Sequence, residues 1–208
     1  VLARLGHVAI ALVCGSALAT ASVDGASKRA VPIGCVAKLL TATLVSASAE
    51  RSLLAFDGSV AELLGVRGEA WRGITVRHLL EHTHGLDDSL LAAPRYGDGF
   101  VDRGELSAPV EALTRWARAG TAYSYGNAGA WLLAAALERL HGRPFHALVR
   151  DEVLQPLGVE GAWLEGAPLC AATGAGLALT AEELARFGLL ALAKDRFISA
   201  APITPLPG

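Results

Sequence analysis

The chain has 208 residues, 52% of them hydrophobic and 18% charged, with a formal net charge of −2. That length is enough for one domain with a real core, and the composition excludes a disordered chain. Lysine and arginine are spread singly, so there is no electrostatic footprint for DNA or RNA.

Residues 1–34 read as N-terminal strands. His7–Ser22, "HVAIALVCGSALATAS", shares the apolar run and small-residue exit of a signal peptide. The run is short, however, and little basic charge precedes it. Two short apolar strands around a Cys-Gly-Ser turn fit better. No run approaches the roughly 20 apolar residues of a membrane span. Val31–Gly34 is a short strand or turn. It leads into a helix from Cys35 whose apolar positions Val36, Leu39, Leu40 and Leu44 recur at helical spacing.

Asp57-Gly58 marks a turn before a short helix. The stretch Ile74–Asp88 begins with Thr75 as N-cap and stops at Gly85. Residues 87–109, rich in Asp, Gly and Pro, read as a long loop of the kind that serves as a functional lid or forms a disordered segment. "PVEALTRWARAG" (Pro109–Gly120) has the pattern of an amphipathic helix closed by glycine. Further helices are expected over Asn127–Gly142, Pro144–Gly158 and Leu179–Asp195, the last with Thr180 and Glu183 as a capping box. Strands first and many helices afterwards predict an α/β (α+β) fold rather than alternating βαβ units. The expected organisation is one domain over 1–208: strands to 34, a helical region over 35–195 and an extended tail over 196–208.

The three cysteines (Cys14, Cys35 and Cys170) are an odd number without metal-type pairing. They predict a reduced, cytoplasmic protein. Three groups of residues carry chemistry. Cys35 and Lys38 share a helical face at i, i+3, and a helix start and a neighbouring cation both lower a thiol pKa; a small buried thiol is the plainer reading. Tyr125 and Asn127 precede a helix and can face one cleft, or serve as a loop aromatic and a capping residue. His78, His82 and His84 form H-x3-H-x-H, but no telling carboxylate accompanies them. No metal or cofactor is expected, and His82 reads as a structural residue at the helix end.

Taken together, "GCVAKLLTA", "GVRGEAWRGITVRHLLEHTHGL", "AGTAYSYGNAGAWLLAAALERLHGRPF", "VLQPLGV" and "GAGLALTAEELARF" resemble the serine β-lactamase-like superfamily in order and spacing. The nearest branch comprises class C β-lactamases, D-alanyl-D-alanine carboxypeptidases and related esterases and transesterases. The resemblance implies a penicillin-binding-protein-like fold, a helical lobe against an antiparallel sheet. It places Cys35 on the nucleophilic serine and Lys38 on the lysine of S-x-x-K. Tyr125 and Asn127 fall on Y-x-N, and His84 on a small residue of the H-T-S-G segment, at the cleft wall.

Cysteine replaces serine at the nucleophile position. A thiol is the stronger nucleophile at neutral pH, and its acyl-enzyme would be a thioester, which amines attack readily. Acyl transfer from an ester, amide or carrier-bound thioester to an amine or alcohol is therefore expected. A hydrolase of the same fold and a non-catalytic scaffold are the alternatives. The family's K-T-G or H-x-G strand has no counterpart after Leu190, and the chain contains no Met. A second chain or a C-terminal segment completing the sheet is thus an expected partner, beside a small-molecule acyl substrate.

Overall fold

A computed structural model of the chain describes residues 9–14, 17–22, 28–87, 113–163 and 177–193. Strands β1 (Ala9–Cys14) and β2 (Ala17–Ser22) pair antiparallel from Ala9↔Ser22 to Cys14↔Ala17. The expected hairpin is therefore formed. A second sheet has the order β3-β5-β4, with β3 (Val31–Pro32) and β4 (Ala162–Trp163) each antiparallel to the central β5 (Leu177–Leu179). All three residues of β5 are buried.

A 3₁₀ turn over Gly34–Ala37 runs directly into helix α1 (Lys38–Glu50). Helix α2 (Val60–Leu64) is capped by Ser59, whose hydroxyl accepts from the N–H of Glu62. Helix α3 (Val76–Leu80) follows, then α4 (Ala128–His141), α5 (Phe145–Val149) and α6 (Ala181–Ala193). A π turn over Arg150–Leu154 and a 3₁₀ turn containing Pro156 extend α5 to Gly158. The capping box of α6 is formed as expected: Thr180 Oγ1 accepts from the N–H of Glu183, and Glu183 Oε2 accepts from the N–H of Thr180. Glu183 also accepts from the N–H groups of Glu160 and Gly161, fastening α6 to the chain entering β4.

Helix α4 is the centre of the core. Every residue from Ala128 to Leu137 is buried, and α1, α2, α3 and α5 all pack on it. Its alanines and Gly129 let those helices approach closely, while Trp131, Leu132, Leu133 and Leu137 supply apolar bulk. Gly129 is needed where it stands: a Cβ there would lie 2.6 Å from the carbonyl oxygen of Leu79 on α3. Ser48 on α1 and His141 on α4 share a hydrogen bond of 2.9 Å, which ties the far ends of the two helices.

Two expectations are corrected. Residues 113–120 are not helical. They run beside residues 85–87, with a bridge between Leu86 and Arg115 and hydrogen bonds from Asp87 N–H to Thr114 O and from Trp116 N–H to Gly85 O. The backbones touch at Gly85, where a Cβ would fall 2.2 Å from Ala117 O and φ is +67°. Long-range pairing here overrides local helical periodicity. The helix from Thr75 also ends early, at Leu80 rather than near Gly85. His82 turns left-handed (φ 57°), and the N–H groups of His82 and Thr83 bond back to Leu79 O and His78 O, a Schellman stop without glycine. The expected loop beyond residue 87 and the extended tail lie outside the described residues. Among the described residues no helix is long and apolar enough to cross a membrane.

Candidate active site

The 3₁₀ turn sets Cys35 one helical turn before Lys38, on the face that looks toward the start of α4. Cys35 is exposed and free. Hydrogen bonds from Tyr125, the larger influence, and from Lys38 hold its thiol below the ordinary cysteine range. Burial opposes the shift, and the positive charge of Lys38, the smallest influence, acts in the lowering sense. The sulfur faces solvent and is not a packed thiol.

Lys38 Nζ donates to Asn127 Oδ1 at 2.7 Å and lies 5.0 Å from the centre of the Tyr125 ring. Asn127 holds the N-cap position of α4, yet its side chain makes no capping hydrogen bond. It is turned to the lysine instead. Cys35, Lys38, Tyr125 and Asn127, separated by up to 92 positions in sequence, thus form one connected cluster.

His84 lies elsewhere. It is 3% exposed, and its Nδ1 accepts from the N–H of Leu86 across a tight turn. It stands against Gly129 of α4 and is not among the residues that line the cavity beside Cys35. His78 completes the capping box of α3 by accepting from the N–H of Thr75. The three histidines therefore point to separate tasks.

His82 is the residue that sequence reasoning undervalued. Its ring stacks at a tilt on Tyr125, 4.7 Å between centres, and meets the edge of Tyr123 at 6.1 Å. Its carbonyl accepts from Ser124 N–H, so one residue holds both the backbone and the ring of the Tyr123–Tyr125 segment. The left-handed backbone that enables this is uncommon for a residue with a Cβ, and such strain gathers at functional sites. His82→Gly separates the two effects. Relief of the backbone should keep the melting temperature near its original value, while loss of the ring should slow reaction at Cys35 by about 10–100-fold. Parallel thermal melts and acylation rates check this.

The arrangement is distinctive before any relative is considered: a thiol at a helix start with a lysine one turn on and a tyrosine and asparagine at the start of a second helix. Residues 6–206 match the beta-lactamase family, and the chain belongs to that family. Among curated relatives, an esterase/beta-lactamase, LipL of Mycobacterium tuberculosis, is 28% identical over 164 residues, covering 76% of this chain and 37% of its own length. Penicillin-binding protein 4 of Amycolatopsis lactamdurans is 31% identical over 140 residues, covering 61% and 34%. The chain thus spans about a third of the length of these relatives. Among solved structures, SurE with D-Leu superposes with a TM-score of 0.77 at 26% identity, over 97% of this chain and 52% of that one. A class C beta-lactamase gives 0.76 at 19% identity, over 92% and 62%. The fold is that of beta-lactamases and penicillin-binding proteins, with helices around a small antiparallel sheet.

Proposed function

We propose that Cys35 is an acyl-accepting nucleophile and that the protein transfers acyl groups through a Cys35 thioester. The observation that carries this is the exposed thiol with its pKa lowered by Tyr125 and Lys38, the latter held by Asn127. Tyr125 and Lys38 favour Cys35 as thiolate by donating to it, and Sγ bonds to the carbonyl carbon of an ester, amide or carrier thioester as the carbonyl π pair moves onto oxygen. The tetrahedral centre then collapses, the bond to the leaving oxygen, nitrogen or sulfur breaks, and that atom takes a proton from the Tyr125–Lys38 pair, which is left one proton short and ready to act as base. The backbone N–H of Cys35 supplies one donor to the oxyanion. Asn127 orients Lys38. In the second half, Tyr125 takes a proton from an incoming amine or alcohol, which displaces the sulfur. A protein segment or second chain completing the sheet would provide the remaining oxyanion donor.

Hydrolysis is the second reading, favoured by the esterase/beta-lactamase name of a curated relative. The structural neighbour that holds D-leucine supports an amino-acid-like group as acceptor instead. Measuring products with and without an added amine distinguishes them: transfer predicts that the amide replaces the free acid.

The protonation step has a pH signature. Because hydrogen bonding lowers the Cys35 pKa, thiolate persists to lower pH, and acylation should level off below the range of a free cysteine. Removing the leading donor with Tyr125→Phe should move that midpoint upward. A pH–rate profile of alkylation by iodoacetamide reads the thiolate directly; an unmoved midpoint would remove Tyr125 from this role.

A further inference from the structure

Four side chains are linked in series at the site. Lys38 Nζ lies 5.0 Å from the centre of the Tyr125 ring, Tyr125 stacks on His82 at 4.7 Å, and His82 meets Tyr123 at 6.1 Å. Cys35 and Lys38 stand at one end of the series and Tyr123 at the other. The cavity beside Cys35 is lined by Tyr125 and His82 but not by Tyr123, which therefore borders a different part of the surface.

Tyr123 and Tyr125 are 45% and 54% exposed. Scattered exposed aromatics are ordinary, but these two are held in place. The N–H of Ser124, between them, donates to His82 O at 2.9 Å, and both rings rest on the same imidazole. They are ordered before anything binds, so a partner that covers them loses little side-chain entropy. Tyr125 has two duties in the cycle: it gives a proton to the leaving atom and later takes one from the incoming atom. Both groups therefore sit on the side of the site where Tyr125 stands, while the acyl chain hangs from Cys35. The exposed aromatic surface next to Tyr125 on its own segment is Tyr123.

We propose that Tyr123 is the docking ring for the acceptor, and that the acceptor class is a primary amine with an aromatic substituent. This rests on the reading of Cys35 and Tyr125 as the acyl-transfer pair. The amine nitrogen meets Tyr125 Oη while its substituent lies against the Tyr123 ring. As the nitrogen bonds to the acyl carbon, the C–S bond breaks and its electron pair stays on Sγ. One N–H proton passes to the Tyr125–Lys38 pair, which acylation left one proton short.

The test compares benzylamine with 2-methoxyethylamine, a primary amine of similar basicity without a ring, in discharging acetyl-Cys35 protein. Intact mass follows discharge over a range of amine concentration. Benzylamine should reach half its maximal rate at about fivefold lower concentration, the gain from one aromatic pair. Tyr123→Ala should remove that difference, and Tyr123→Phe should keep it. The ratio of two amines within one variant cancels any change in the reactivity of Cys35 or Tyr125, and thermal melts show that each variant is folded. Binding of product analogues needs no chemistry. N-benzylacetamide should bind full-length Cys35→Ala protein about fivefold more tightly than N-(2-methoxyethyl)acetamide in an NMR titration, and adding Tyr123→Ala should level the two. A benzylamine preference that survives Tyr123→Ala, or equal binding of the two amides, would overturn the docking ring. Ring-dependent amide binding without amine-dependent discharge would instead overturn transfer, and would leave Tyr123 as the docking ring for the leaving group of a hydrolase.

Discussion

Lys38→Met should slow acylation of Cys35 by about 10²–10⁴-fold, the range for a lost proton-transfer partner, without unfolding the protein. Lys38 is placed at once by three neighbours: the sulfur of Cys35, the amide oxygen of Asn127 at 2.7 Å and the Tyr125 ring at 5.0 Å. Methionine keeps the aliphatic length but has neither charge nor donor. The thiol then loses one of its two hydrogen-bond donors and the positive charge that favours thiolate. Asn127 loses the partner for which its side chain forgoes helix capping. Single-turnover acylation with an activated ester measures the loss, and circular dichroism verifies the fold. A rate within threefold of the original would show that Lys38 has no part in activating the sulfur.

Gly129→Ala is the second large effect, and its sign is opposite to the usual one. In most helices this change stabilises by about 1 kcal/mol. Here the added Cβ would lie 2.6 Å from Leu79 O, a backbone atom that cannot rotate away. Separating α3 from α4 to relieve the contact opens the core around Leu79, Trp131 and Leu133. Overpacking of this kind costs about 1–3 kcal/mol, a fall in melting temperature of roughly 2–12 °C for a domain of this size. The same shift moves His82, just past the end of α3, and with it Tyr125. Thermal unfolding should therefore show destabilisation together with slower acylation.

The fold was legible where local rules agree with tertiary ones. Helix α4 carries an unbroken apolar pattern from Ala128 to Leu137 and ends at a left-handed glycine, Gly142. Thr180 and Glu183 announce α6 through their spacing alone. The pairing of Cys35 with Lys38 follows from helical geometry, and a resemblance to a family brought Tyr125 and Asn127 to them. What escaped was set by contacts distant in sequence. Central strand β5 has only three residues, Leu177–Leu179, too few to show a period of two. Residues 113–120 keep an amphipathic pattern but pair with residues 85–87, because Gly85 permits the backbones to touch.

The site shows the same division. His82 is one of three closely spaced histidines, and nothing in their spacing reveals that one stops a helix in a left-handed turn and stacks on Tyr125. His84, expected at the cleft wall, instead braces a turn against α4.

The central claim is a covalent bond to one sulfur, so the most direct measurement is the intact mass of the full-length protein after exposure to activated thioesters and esters, beside Cys35→Ala. The account predicts a mass increase of one acyl group in the original protein, none in Cys35→Ala, and faster discharge by amine than by water. An adduct that persists in Cys35→Ala, or no adduct in the original protein with any donor, would contradict it.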